Sequence, residues 1–287
     1  MLNVKSLTVV DDGWPECLTG VDPVPEHLYW AGVDIASWIN RPRLAVVGSR
    51  RAGGYGRGIT EHWVLQLAAE GVVIISGLAL GIDGLAHAAA LKAGGITVAV
   101  LGTGLNQIYP ASHFGLARQI VESGGTLISE YPSGTPGLRH NFIARNRLIA
   151  GLSEAVLITE AATGSGSLHT ARFAMEQGKT VMALPGDITR LNSAGCNQLI
   201  KSGALIVTSV DDVRLALGLS GRQVRRRKLP TDAVELEILR LIEKGVRDQE
   251  EICQRANLSA SVINSALTTL ELGGYIRPLG AGEWSII

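Results

Sequence analysis

In the stretch HNFIARNRLIAGLSEAVLITEA, residues 140–161, two arginines flank an amide at Arg145-Asn146-Arg147. A guanidinium carries a rigid fork of donors that fits two oxygens of a phosphate or a carboxylate at once. The chain has a formal net charge of zero, so overall charge draws in no acidic partner and any anion must be held locally. No Asp or Glu lies between Glu130 and Glu154, a window that holds Arg139, Arg145 and Arg147. None lies between Asp34 and Glu61 either, a window with Arg41, Arg43, Arg50, Arg51 and Arg57. Two acid-free basic windows in a neutral protein point to an anion site. The same arginines could instead pair with Glu130, Glu154 or Glu160 and tie loops together.

Thr163-Gly164-Ser165-Gly166-Ser167 supplies a second anion-binding element. Small residues before a helix let backbone N–H groups and the helix N-terminus approach a phosphate. Phe142 offers a ring on which an unstacked base can lie, or a core aromatic that packs the helix start. Asn146 can bond a base edge or sugar, or its own backbone. Three ligands compete for these groups. A dinucleotide fits poorly: Gly48-Ser49-Arg50-Arg51-Ala52-Gly53-Gly54-Tyr55-Gly56 lacks the GxGxxG spacing, and no acid ends the second strand. A nucleotide-processing enzyme would use the Gly-Ser loop, which resembles the phosphate loop of phosphoribohydrolases. No carboxylate follows on its first turn, however, so acid–base work would fall to Glu160, Asp83, His87 or His169. The third ligand, the backbone of a single nucleic-acid strand, uses all of these features together. No metal cluster and no nucleophile–base pair is legible, so no catalytic residue, metal or cofactor is expected.

These residues have to be positioned by the elements around them. Buried-looking runs recur at Leu44–Val47, Val72–Ile75, Thr97–Leu101, Thr126–Ser129, Ala155–Thr159, Thr180–Leu184 and Leu205–Thr208. They barely alternate, which is the pattern of parallel strands covered on both faces. The stretches 55–70, 82–93, 110–123, 142–152 and 166–177 are long enough for crossover helices. The fold class is therefore α/β with a doubly wound parallel sheet, whose ligands bind at the carboxyl ends of the strands. Residues 1–40 hold Trp14, Pro15, Pro23, Pro25 and Trp30 and are expected as an irregular arm on a core domain spanning 41–218.

Residues 219–230 contain Arg222-Gln223-Val224-Arg225-Arg226-Arg227-Lys228 and form a basic linker. In 231–287, three helical stretches (232–243, 249–256, 260–272) precede Gly273-Gly274 and a hairpin, an arrangement expected to be winged-helix-like. The third helix has no Lys or Arg. Residues 222–287 hold ten basic and nine acidic residues, but five of the ten lie in the linker. The helical part is therefore acidic on balance, which favours a protein-contacting module over a reader of duplex sequence. Cys17, Cys196 and Cys253 are far apart and fit a reduced, cytoplasmic chain. No signal peptide or membrane-length apolar run is present, so no membrane partner is expected.

Several motifs carry a family resemblance: VVGSRRAGGYG (46–56), SGLALGIDGLAH (76–87), TVAVLGTGLNQIYP (97–110), LISEYPSGTP (127–136), FIARNRLIAGLS (142–153), GSGSLHTARFAMEQGK (164–179), ALPGDI (183–188) and GCNQLIKSGA (195–204). In this order and spacing the chain resembles the DNA-processing protein A (DprA/Smf) family. The resemblance implies an extended Rossmann-like domain that binds single-stranded DNA, forms a homodimer, protects incoming DNA in natural transformation and loads the recombinase RecA. Carried over by motif, the DNA site comprises Gly48, Ser49 and Arg50, then Phe142, Arg145, Asn146 and Arg147, then Ser165, Gly166 and Ser167. Arg51 and Arg139 are added by their proximity in sequence. The chain departs from the family at Ile143 and Ala144, where Pro and a basic residue are common, and at Leu80, where Arg is common.

Overall fold

A strand covered on both faces sends alternate side chains into two different cores, so both sets must be apolar. Arg43–Val47 does this: Ala45 and Val47 enter one buried cluster, Leu44 and Val46 the other. The computed structural model describes residues 3–219, 230, 232–272, 275–280 and 282–286. They fall into two compact units, Met1–Gly221 and Arg222–Ile287.

The first unit is built on a nine-stranded sheet. Its strands are β1 (Val4–Thr8), β2 (His27–Gly32), β3 (Arg43–Val47), β4 (Val73–Ser76), β5 (Thr97–Leu101), β6 (Thr126–Ser129), β7 (Ala155–Ile158), β8 (Thr180–Ala183) and β9 (Leu205–Ile206). Its helices are α1 (Gly54–Ala69), α2 (Ile82–Lys92), α3 (Phe114–Glu122), α4 (Arg139–Leu152), α5 (Ser167–Glu176), α6 (Ala194–Lys201) and α7 (Val210–Ala216). The strand order is β1-β2-β6-β5-β4-β3-β7-β8-β9, and β3 to β9 run parallel. The chain therefore walks outward from β3 to β6, returns through α4, and resumes at β7 on the other side of β3. That reversal between β3 and β7 is a topological switch point, where the loops leaving the two strands diverge and open a crevice.

One core places α4 and α5 against the sheet through Leu148, Ile149, Leu152, Ala171 and Ala174. The other places α1 and α2 on the opposite face through Trp63, Val64, Leu67, Ala86 and Ala90. The expected α/β class and parallel sheet are thus those observed. The amino-terminal segment differs from the irregular arm expected. β1 and β2 are antiparallel to each other, and β2 is antiparallel to β6, so the segment extends the sheet by two strands. Its partner β6 lies about a hundred residues later in the chain, beyond the reach of local pattern. Trp38, fully buried, anchors the segment by donating from Nε1 to Thr126 Oγ1 at 3.1 Å. The helices α6 and α7 go beyond the sequence expectation. For α7 a signal exists in Ser209-Val210-Asp211-Asp212, where Ser209 and Asp212 form a capping box.

The second unit is a winged helix of α8 (Ala233–Glu243), α9 (Gln249–Ala256) and α10 (Ala260–Leu272) with a hairpin of β10 (Ile276–Gly280) and β11 (Glu283–Ile286). Asp232 and Asp248 cap α8 and α9 by accepting from first-turn N–H groups. Ile238, Ile242, Ile252, Ile263, Leu267 and Leu270 form its core. The basic run 222–228 and the pair Gly273-Gly274 lie outside the described residues. No helix among the described residues is long and apolar enough to cross a membrane.

Candidate functional site

Loops at the switch point enclose an open cavity of about 710 Å³. The loop after β3 contributes Gly48, Ser49, Arg50 and Arg51; α4 contributes Arg139, Phe142, Arg145 and Asn146; the loop after β7 contributes Ser165, Gly166 and Ser167. Every residue expected at the site therefore lines it except Arg147. Tight backbone packing brings these loops together. A Cβ on Gly48 would stand 2.8 Å from the Glu160 carbonyl oxygen and 2.6 Å from Ile82 Cγ1. Gly81, at φ +79°, would bring one within 2.2 Å of the Ser49 carbonyl oxygen.

The arginines differ sharply in environment. Arg50, Arg51 and Arg139 are exposed, and no ion pair holds any of them among the described residues. Arg145 is 4% exposed and lies under the cavity floor. Its guanidinium donates to the carbonyls of Gly77, at 2.9 Å, and Val100, which are the ends of β4 and β5. Nε donates to Asn146 Oδ1 at 3.2 Å. Burial lowers its pKa to about 10, opposed by the charge of Asp83 beside it. Asp83 accepts from Gly77 N at 3.1 Å, and burial raises its pKa despite Arg145. Arg145 thus ties α4 to the sheet rim and sets a positive charge beneath the cavity. Asn146 continues that tie by donating from Nδ2 to Gly166 O at 3.2 Å.

Arg147 takes another course. It pairs with Glu130 and donates from Nε to Pro23 O at 2.9 Å, with its side chain 5% exposed. The alternative raised from the sequence, an arginine tying loops together, is the one realised here. Arg43, also counted in a basic window, sits at the opposite end of its strand and pairs with Glu154 at 3.4 Å.

Two rings make the aromatic wall. Phe142 is half-buried, and its centroid lies 5.0 Å from that of Tyr109, inclined at 40°. Gly102 and Gly137 make room for it, since a Cβ on either would come within 2.7 Å or 3.0 Å of the ring. Helix α5 begins at Ser167 with no side-chain cap; the N–H groups of Leu168 and His169 already donate to Ser165 O at 3.0 Å and Gly166 O at 3.2 Å, so what this end offers an anion next to the Gly-Ser loop is chiefly its dipole.

Glu160, one of the four candidates for acid–base chemistry, is 4% exposed. It accepts from Gly53 N at 2.9 Å, Gly56 N at 3.0 Å and Asn192 Nδ2 at 2.6 Å. The carboxylate caps α1 and holds the arginine loop in place. His87 is fully buried away from the cavity, and His169 lies on its wall. Sequence reasoning misses Tyr109 and Asn192 as lining residues. Tyr109 stands in the TVAVLGTGLNQIYP motif. Asn192 has no local signal, because its partners Arg51 and Glu160 are distant in sequence.

With this geometry in hand, the likeness to known proteins is direct. Residues 5–218 match the model of DNA recombination-mediator protein A. The chain belongs to that family, the DprA/Smf family. Residues 222–282 match the DprA winged helix domain. Protein Smf of Escherichia coli K12 is 42% identical over 255 residues, covering 84% of this chain and 67% of that one. The crystal structure of DprA from Streptococcus pneumoniae superposes with a TM-score of 0.69 at 42% identity, covering 74% of each chain. DprA from Helicobacter pylori, described for its single-stranded DNA binding mode, superposes at 0.68 with 29% identity, covering 76% of this chain and 97% of that one. The chain spans about two thirds of the length of its curated relatives. What the comparisons show in common is the fold of the matched region and the winged helix domain.

Proposed function

We propose that the cavity binds single-stranded DNA and that the protein is a non-enzymatic recombination mediator of the cytoplasm. On this reading it protects incoming strands and passes them to the recombinase RecA, as a homodimer. The observation that carries it is the cavity itself. Three exposed arginines surround an aromatic wall and the positive end of α5, while the carboxylates nearby already serve the main chain. Guanidiniums and a helix end take phosphates, and rings take unpaired bases with little sequence preference. Duplex offers no such exposed base faces. The H. pylori relative's described binding mode supports the ligand, and the family description supports the role. At the sheet's edge, the apolar side chains of Leu205 and Ile206 are 44% and 50% exposed, surface that a second copy would cover. Arg147 is left out of this DNA site because its charge is met by Glu130.

The test is a mobility shift with labelled single strands and the matching duplex, for wild type, Arg50→Ala and Arg139→Ala. Preference for the single strand, reduced in both variants, is expected. Equal affinity for the two forms of DNA, or unchanged binding in both variants, sinks the reading.

A further inference from the structure

A second, smaller cavity of about 270 Å³ adjoins the first. Asn192 lines both. The remaining walls are Gly53, Tyr55, Glu160, Arg190, Leu191 and Ser193. Gly53 and Tyr55 come from the VVGSRRAGGYG stretch, while Arg190, Leu191 and Ser193 lie outside every motif and outside the main cavity. Its volume is close to the lower end of small-molecule sites, which run from roughly 300 Å³. That is room for one base and its sugar rather than for a protein segment.

The walls are held firmly before any ligand arrives. Tyr55, on the first turn of α1, donates from its hydroxyl to Pro185 O at 2.8 Å, which fixes the ring while leaving the residue 41% exposed. The loop after β8 is pinned at both ends. Gly186 exchanges hydrogen bonds with the Asn197 side chain at 3.1 Å and 2.9 Å, and Asn192 reaches Arg51 O at 3.1 Å. This loop presents Leu191 at 82% exposure and an exposed Arg190.

The pocket's wall carries one carboxylate and one guanidinium, and they differ in how far they are already engaged. Glu160 is its one wall carboxylate, and its oxygens already face two backbone N–H groups and the Asn192 amide. Asp187 is turned into its own loop, accepting from Thr189 N and Oγ1 at 2.8 Å each. Arg190 makes no salt bridge among the described residues; its charge reaches Asp187, whose pKa it helps to lower, but no carboxylate holds its guanidinium, which is the one wall cation an incoming phosphate meets. A ring face, an aliphatic side chain and a guanidinium in one pocket match the parts of a nucleotide: a base plane and a phosphate.

We propose that this pocket is a second nucleotide subsite, in which a strand leaving the main cavity past Asn192 places a base against Tyr55 and Leu191 and a phosphate on Arg190. The inference rests on the reading of the main cavity as a single-strand site. The second subsite lengthens the footprint by extending it over the arginine loop. It also explains why Asn192 couples that loop to the loop after β8: the two walls of the strand's path then move together. Saturation of the Glu160 oxygens leaves the base without an edge reader, so the subsite accepts any base.

The test uses the full chain and labelled oligo-dT lengthened one nucleotide at a time, followed by fluorescence anisotropy. For wild type, affinity rises by a step of about fivefold or more when the oligomer outgrows the main cavity, the gain of one stacked base. Arg190→Ala and Tyr55→Leu lose that step and bind the shortest oligomers as wild type does. Tyr55→Phe, which keeps the ring, retains it. For long oligomers, Arg190→Ala also flattens the salt dependence by about 0.7 in log–log slope, the share of one phosphate. A step that persists in both variants, or that wild type never shows, overturns the proposal and leaves the main cavity's role intact. So does an equal loss at every length. Failure of wild type to bind any oligo-dT removes both readings together. Arg190 is a surface side chain, so its variant remains informative even if Tyr55→Leu folds poorly.

Discussion

Arg147 and Glu130 face each other as a two-pronged ion pair, with Nη1–Oε1 at 2.7 Å and Nη2–Oε2 at 2.5 Å. Both side chains are largely buried, and Arg147 also donates to Pro23 O, so the pair joins α4, the turn after β6 and the amino-terminal segment. Removing one partner strands the other charge, which costs about 3–5 kcal/mol. Arg147→Ala is therefore expected to unfold at clearly lower urea, while the folded fraction binds single strands as wild type does. Urea titration followed by fluorescence, with anisotropy on the same samples, checks both parts. Weakened binding without a drop in stability would return Arg147 to the DNA site.

The exposed cavity arginines should behave in the opposite way. Arg50→Ala and Arg139→Ala remove no structural bond that holds the fold together. Each is expected to leave the urea midpoint unchanged and to lower affinity for single strands. The slope of log affinity against log salt should become shallower by about 0.7 for each phosphate that is no longer neutralised. Binding isotherms at several salt concentrations measure it.

Glu160 separates a binding site from a nucleotide-processing one. Its carboxylate caps α1 through Gly53 and Gly56. Replacing an N-terminal cap costs about 0.5–2 kcal/mol. Glu160→Gln is expected to show a loss of this size in urea, and neither it nor wild type should release free base from nucleoside monophosphates. Chromatography of the incubations decides: base release by wild type that Glu160→Gln abolishes would favour the enzyme.

His87 gives a pH signature. Burial pulls its pKa down from 6.5 to about 3, with the charges of His113 and Arg145 adding to the effect. Nδ1 lies 2.7 Å from Thr97 Oγ1, and Nε2 finds no hydrogen-bond partner among the described residues. The unfolded chain takes up a proton that the folded chain refuses. The stability this neutral imidazole contributes is complete above about pH 6.5 and is lost as pH falls toward 3. Between pH 7 and pH 5 wild type should lose about 2 kcal/mol more than His87→Asn, whose amide does not titrate. Urea midpoints at the two pH values, compared between the proteins, provide the measurement.

The chain's own pattern determined the parallel sheet, because Val, Ile and Ala on both faces of β3 to β8 leave no polar side for water. It marked the winged helix through three short helical stretches followed by Gly273-Gly274 and a hairpin. It also marked the basic windows and the Gly-Ser loop. It did not separate Arg145 and Arg147, two residues apart on one helix, since nothing local says which meets an acid. Tertiary structure decided that: helical geometry swings them to different sides, one under the cavity floor at the ends of β4 and β5, the other onto Glu130. It likewise decided that β2 pairs with β6 and that Asn192 bridges two loops. Such choices depend on residues far apart in the chain, whose closeness exists only once the sheet has closed around the switch point.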